Sequence, residues 1–524
     1  MVSQKSRLNQ FHEHILEADY RQSGRDFLEL VREGAEPTPL GLDAFRAAAP
    51  FLNVPAHIML KPDGDQRTVN YDHVILGMWR TARLSQFMPK GYRALPLAQA
   101  VWYMPQGLDI WSQVQCEFPG HYAREQEKCP EINLKGPINR FEDLPPLREG
   151  SFGERLETML QSIVLGDKEL AFQAFLGLAA EAASDDAKRR ELEANVLFAA
   201  IIDLPGPRLI PQNIVNPCHK ALRARAMIDL AKVVGWENAY PFFLVVIPDL
   251  ATNPRNYDLF DTAHTYLVAR FGKAYRDLRL TNTKPLTAQA IDRFVDVQLH
   301  GTHADVFAHV TDLLAAGTSL IAINDAAVLA AARLMARIDR VSFTAGFSAT
   351  THCFDYANVV GFWQRNYDHP HQMKAAYFAP YFVNDTVRLI ERIPPNPADQ
   401  FKSQAHEHAE FARNLSVDKL IGELSKACQA QNAPLATALV DSYLARSRDR
   451  KRLTSTLAFE ASRWEGDPHL PRNAMSHHEE YANTSLPEPM RDEIFRSWAR
   501  YLSGCHKRSP DWNCFQLYRE VLAV

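Results

Sequence analysis

From residue 154 to residue 183, apolar side chains recur at i, i+3, i+4 and i+7 over several turns. The same period returns at 191–204, 221–236, 322–339 and 418–431. A segment with this period is an amphipathic helix, and its apolar stripe has to be buried against another helix. Alternating strand patterns are scarce. The best strand candidate is PFFLVVIP (241–248), which reads equally well as a buried helix segment. Proline gathers between the periodic stretches, at PTPLG (37–41), DLPPLREG (143–150), DLPGPRLIPQN (203–213) and RIPPNPADQ (392–400).

These patterns predict a mostly α fold of stacked helical hairpins, a HEAT-like array. The joints divide it into an aromatic- and Pro-rich N-terminal helical and loop region (1–150), a central His-bearing helical domain (151–397) and a C-terminal helical region (398–524).

Charge narrows the partners. Over 524 residues, 58 Lys and Arg stand against 62 Asp and Glu, a formal net charge of −4. A surface built for nucleic acid or anionic lipid leaves a basic excess, and this chain has none. No apolar run approaches the ~18 residues of a membrane span. The polar, mixed-charge start MVSQKSRLNQFHEHILEAD lacks the apolar core of a secretion signal. The seven Cys form no CxxC motif, so a reducing, cytoplasmic setting is expected and a disulfide framework is not. GxGxxG, GxxxxGK[ST], GxSxG and HExxH are all absent, and no His has a Glu three residues before it. A metal site in this chain would therefore be dominated by histidine.

The chain has 19 His. VNYDHVILG (Asn70, His73) and VNPCHKALRARA (Asn216, Pro217, His219) share the pattern V-N-x-x-H at the start of a helical run. Asn suits an N-cap and Pro the first helical position, which puts each His at about the third helical position. An imidazole there meets the positive end of the helix dipole, which favours the neutral, metal-binding form.

Further histidines occupy the middle of the chain. DLFDTAHTYL carries Asp261 and His264, and LHGTHADVFAHV carries His300 and His303, one turn apart if the segment is helical. FSATTHCFDYANVV carries His352 after Thr350 and Thr351 as caps. The intervals between 219, 264, 300 and 352 are near two helices each, so neighbouring hairpins could present one His apiece to a shared wall. On spacing alone, these segments could share one metal site.

The other histidines read differently. His477 and His478, beside Glu479 and Glu480, read as a solvated face, and His406 and His408 as surface. His369 and His371 fall in a turn, and Lys374 reads as surface rather than buried. Cys218 and Cys353 adjoin histidines without implying a Cys–His dyad. Trp102, Tyr103, Trp111 and Tyr122 read as core before pocket wall; as pocket wall they would suit a flat aromatic substrate.

On Asn70 and His73 in VNYDH, His219 in NPCHKAL, His300 and Thr302 in LHGTH, and His352 in TTHCFDYA, the chain resembles the questin oxidase-like proteins, helical oxygenases of aromatic polyketides. VNYDHVILG, MPQGLDIWSQ and GDPHLPRNAM, with His469, also resemble longer bacterial proteins, some of which carry a C-terminal Rieske-type domain; this chain lacks the paired Cys-x-His motifs of such a domain. The resemblance implies a His-rich non-haem iron centre held by His73, His219, His300 and His352, with His303 the alternative to His300 and zinc the other candidate metal; His264 and His303 then orient ligands or move protons and Asp261 fixes a tautomer. It also implies O2-dependent oxidation of an aromatic or polycyclic small molecule, with an external electron donor where one is needed. The rival expectations are a helical-repeat scaffold that binds a protein partner without chemistry, and a zinc-dependent hydrolase using the same histidines.

Overall fold

Helices in this chain begin and end where local chemistry directs them. Ser151 caps the Phe152–Leu165 helix through a capping box with Glu154, and Gly166, at φ 87°, closes it. The long periodic stretch is thereby split, and Asp167 caps the following Lys168–Ala182 helix. Gly177 in that helix sits where a Cβ would run into the carbonyl oxygen of Leu147, so the backbone leading into Ser151 crosses the helix at close range.

The computed structural model describes residues 4–17, 19–49, 58–60, 66–68, 73–105, 144–204, 218–251, 255–337, 347–391, 405–463, 469–504 and 513–524; at 4, 58–60, 66–68, 73–77, 347–349 and 405 it describes the backbone alone. The described residues are mostly α-helical, as the apolar period predicts. Their strands are one short antiparallel pair, Ile58–Leu60 with Gln66–Thr68, in which Ile58 faces Thr68. PFFLVVIP is not a strand: Tyr240–Val245 is a 3-10 helix and Ile247–Leu250 an α turn, all but Tyr240 and Pro241 buried. Continuous burial, rather than strand pairing, accounts for its apolar run. No helix among the described residues is long and apolar enough to cross a membrane.

One apolar core reaches from Phe11 to Val521, and a second joins Leu84 and Met88 to the helices of the C-terminal stretch. The Cys514–Leu522 helix packs against the Tyr20–Arg32 and Leu95–Tyr103 helices, so the last helix closes on the first ones. Four helices from distant parts of the chain meet in the interior: His73–Ala82, His219–Val234, Phe347–Asn366 and His469–Asn483. The first and third each pack against both the second and the fourth, which closes a four-membered ring.

Within that ring, the His219–Val234 helix is buried on every face from His219 to Leu230, although it carries His219, Lys220, Arg223, Arg225 and Asp229. A helix buried all round is ordinarily apolar, and buried charge has to be paired. Here it is paired. Lys220 meets Asp203, Arg223 meets Asp249, and Arg225 lies against both Asp229 and Glu479.

Candidate metal centre in the four-helix ring

His219 is the first residue of its helix, and the residue before it, Cys218, holds a left-handed backbone at φ 75°. A non-glycine residue there carries strain that the surrounding packing must hold, which is a common mark of a functional position. His219 lies in the first turn as expected, but as the first helical residue rather than about the third, because Cys218, not Asn216, is the N-cap. Asn216 and Pro217 lie outside the described residues. His352 is the sixth residue of the Phe347–Asn366 helix, so Thr350 and Thr351 are inside the helix rather than caps as expected.

The two imidazoles meet across the ring. His219 Nε2 is 2.5 Å from His352 Nε2, the rings stack at 4.7 Å between centroids, and both residues are buried, 1% and 6% exposed. His469, also the first residue of its helix and 3% exposed, sets its ring edge-on to His352 at 5.2 Å. His73 likewise opens its helix; its side chain lies outside the described residues.

One and two turns below, polar residues tie these helices together. The Asp355 carboxylate accepts from Arg472 Nε at 2.7 Å and from Asn473 Nδ2 at 3.3 Å, which links the His352 helix to the His469 helix. Deeper still, Glu479 receives Arg80, Arg83 and Arg225, and Glu480 receives Arg365 and Asn358. Burial pushes the Glu479 carboxyl up, but Arg225, Arg80 and Arg83 outweigh it and hold the group well below the usual carboxylate range. For Glu480 burial prevails over Arg365, and its carboxyl is raised.

Two imidazole nitrogens cannot face one another at 2.5 Å with both lone pairs bare, so a proton has to lie between them. A metal ion held by both, at metal–nitrogen bonds of about 2.0–2.1 Å, requires the nitrogens to part to about 3 Å or more. Imidazole itself is a donor that a transition metal suits. Among the described residues, no group of three or more His, Cys, Asp or Glu side chains is already gathered to hold a metal ion. Burial pushes the Cys353 thiol up to about 12, away from the thiolate form a nucleophile uses.

The remaining expected residues lie elsewhere. His300 is the last residue of the Ala288–His300 helix, its side chain 58% exposed and 3.8 Å from Asp296. His303 opens the next helix after a Thr302–Asp305 capping box, so the two histidines do not share a helix face. His303 faces Asp385 at 3.5 Å and Tyr381. Asp261 and His264 are exposed, and His264 Nδ1 is 3.1 Å from Tyr275 Oη. Neither His300 nor His264 reaches the buried pair.

His477 is the reverse case, fully buried rather than solvated. Its Nδ1–H donates to the Asn473 carbonyl at 2.8 Å, and its ring stacks on Phe354 at 4.0 Å. Glu479 and Glu480 are buried with it. Lys374 is buried too, at 5% exposed. His406 is exposed, as expected, and Trp102 and Tyr103 are core. Trp111 and Tyr122 lie outside the described residues. A cleft of about 630 Å³ opens among the C-terminal helices, lined by Arg413, Thr437, Asp441, Ser442, Arg446 and Arg500, and includes none of the histidines of the ring.

The buried histidines give stability a pH dependence. Burial lowers His477 to about 4 and His369 to about 3 from an ordinary 6.5. The unfolded chain then binds more protons than the folded one below pH 6.5, so this stability is present above 6.5 and is lost as pH falls towards 4. His477 alone contributes on the order of 3 kcal/mol. Urea midpoints measured from about pH 7.5 to about pH 4.5 are expected to fall steadily below about pH 6.5. A flat profile over that range would show that these rings are not buried and neutral.

Comparison with protein-family models, with curated proteins and with solved structures finds no match to this chain.

Proposed function

We propose that the chain is a non-haem iron oxygenase acting on an aromatic or polycyclic small molecule, its metal held by His219 and His352 with His469 and His73 as the further donors. The observation that carries this reading is the facing of two buried imidazole nitrogens from helices 133 residues apart in the chain. A protein-binding scaffold would leave its histidines scattered, whereas here three of them converge inside one ring of helices.

Bound at this place, iron supplies activation of O2. The chain's own contribution is positional. The helix start at Cys218 aims His219 inward, and the Asp355–Arg472 ion pair holds the helices of His352 and His469 in register. The dry surroundings keep water from the pair. Proton delivery from His264 or Asp261 has no support from their exposed positions, and His303 faces Asp385 instead.

Metal analysis of the purified protein, paired with an optical spectrum recorded anaerobically and then in air, tests the proposal. It expects about one transition metal per chain and a spectrum that changes when O2 is admitted. Stoichiometric zinc with an unchanged spectrum would favour the hydrolase, and no metal at all would end the proposal.

A further inference from the structure

Lys374 lies away from the histidine ring, in the short Gln372–Ala375 helix. Its ammonium nitrogen stands 3.5 Å from the centre of the Phe260 ring. None of the described residues forms a hydrogen bond or ion pair with it. A buried lysine is ordinarily paired with a carboxylate, and this one rests on an aromatic face instead.

Its charged neighbours are of both signs, and the Asp261 carboxylate weighs more on it than the Arg276 guanidinium. The Asp258–Phe271 helix brings Asp261 and His264, the Gly272–Asp277 turn brings Tyr275 and Arg276, and its own segment brings His371. His371 packs against Phe260 at 5.4 Å and Phe198 at 5.0 Å, and His264 pairs with the Tyr275 hydroxyl. The rim is shallow: His264 is exposed, and Phe260 and His371 are half-buried.

We infer that Lys374 is a nucleophilic amine that captures a small carbonyl compound as an imine. The amine lone pair attacks the carbonyl carbon, the two amine hydrogens leave with the carbonyl oxygen as water, and no oxidant or reductant is consumed. The Tyr275–His264 pair and His371 are the groups placed to pass those protons.

The surroundings agree with this role. Burial, joined by Arg276 and only partly offset by Asp261, lowers Lys374 to about 8. Roughly a tenth of such an amine is neutral at pH 7, against about one part in a few thousand for an ordinary lysine.

The test is reductive trapping on the whole folded protein at neutral pH, with pyruvate and sodium cyanoborohydride, followed by digestion and mass spectrometry. Lys374 is expected to carry the reduced adduct at least about tenfold more than exposed Lys419 and Lys451. The preference should vanish when the protein is labelled in urea, and the adduct should be missing in Lys374→Arg. Labelling of folded protein no higher at Lys374 than at Lys419 and Lys451 would overturn the proposal. None of these readouts depends on a metal, so the outcome is independent of the reading of the histidine ring.

Discussion

Glu479→Ala is expected to destabilise the fold by about 3–5 kcal/mol, the loss incurred when one member of a buried charge cluster is removed and its partners stay behind. Glu479 Oε1 lies 2.8 Å from Arg225 and 2.5 Å from Arg83, and Oε2 lies 3.1 Å from Arg80. Without it, three guanidinium groups are left with Asp229 as the carboxylate between them. Two of the three, Arg80 and Arg225, are 1% exposed and cannot turn to water. Some relief comes from the Phe362 ring beneath Arg225, 3.4 Å from guanidinium carbon to ring centre, but an aromatic face replaces only part of a carboxylate. Glu479→Gln keeps the shape and loses the charge, so it should fall between wild type and the alanine variant.

The comparison that isolates burial is Glu423→Ala. Glu423 pairs with Lys426, whose side chain is 73% exposed, and that loss should stay within about 0.5 kcal/mol. Chemical denaturation of the three variants at neutral pH reads all of these values. A Glu479→Ala midpoint within that same narrow margin of wild type would show that the cluster is not formed as described.

The fold was legible because helix signals are local. The apolar period marked the helices, Ser151 and Glu154 marked a start, and Gly166 marked a stop, all within a few residues of each other. The Gly301–Thr302 step between His300 and His303 was an equally local signal. A Thr followed three residues later by Asp305 is a capping box, and reading it would have separated the two histidines at once.

The charge cluster was not legible. Glu479 and Glu480 sit beside His477 and His478 in a polar run that looks solvated, and the arginines that bury the glutamates are up to 399 residues away. Nothing in a run of charges states whether its partners lie in water or in another helix. His219 and His352 were legible because each stands near the beginning of a helical segment. His469 does as well, but its segment, GDPHLPRNAM, has a proline on either side of the histidine and hides the helix that starts there. Lys374 was misjudged for a related reason: its burial depends on Phe260, more than a hundred residues earlier, and not on its polar neighbours in the turn.

His219→Ala and His352→Ala are each expected to lower bound metal at least about a hundredfold in affinity, enough to strip it on dialysis. Loss of a residue that only orients a ligand weakens binding roughly 10–100-fold, and removal of the ligand itself exceeds that. Asp355→Asn, which weakens the tie to Arg472 without touching either imidazole, belongs in the lower range. His300→Ala should keep its metal in full, because that side chain is 58% exposed on a helix end.

The same variants decide what lies between the two nitrogens. If the 2.5 Å approach is a plain N–H···N hydrogen bond, His219→Ala takes that contact from the buried His352 imidazole and reduces stability by about 1–3 kcal/mol, with no change in metal content. If the two rings part to about 3 Å or more and hold a cation in common, metal content falls first, and adding the metal back no longer raises the denaturation midpoint of the variant as it does that of wild type. Midpoints measured with and without added iron therefore separate a histidine pair that only packs from one that binds. An unchanged metal content in both His219→Ala and His352→Ala would remove the centre from the ring altogether.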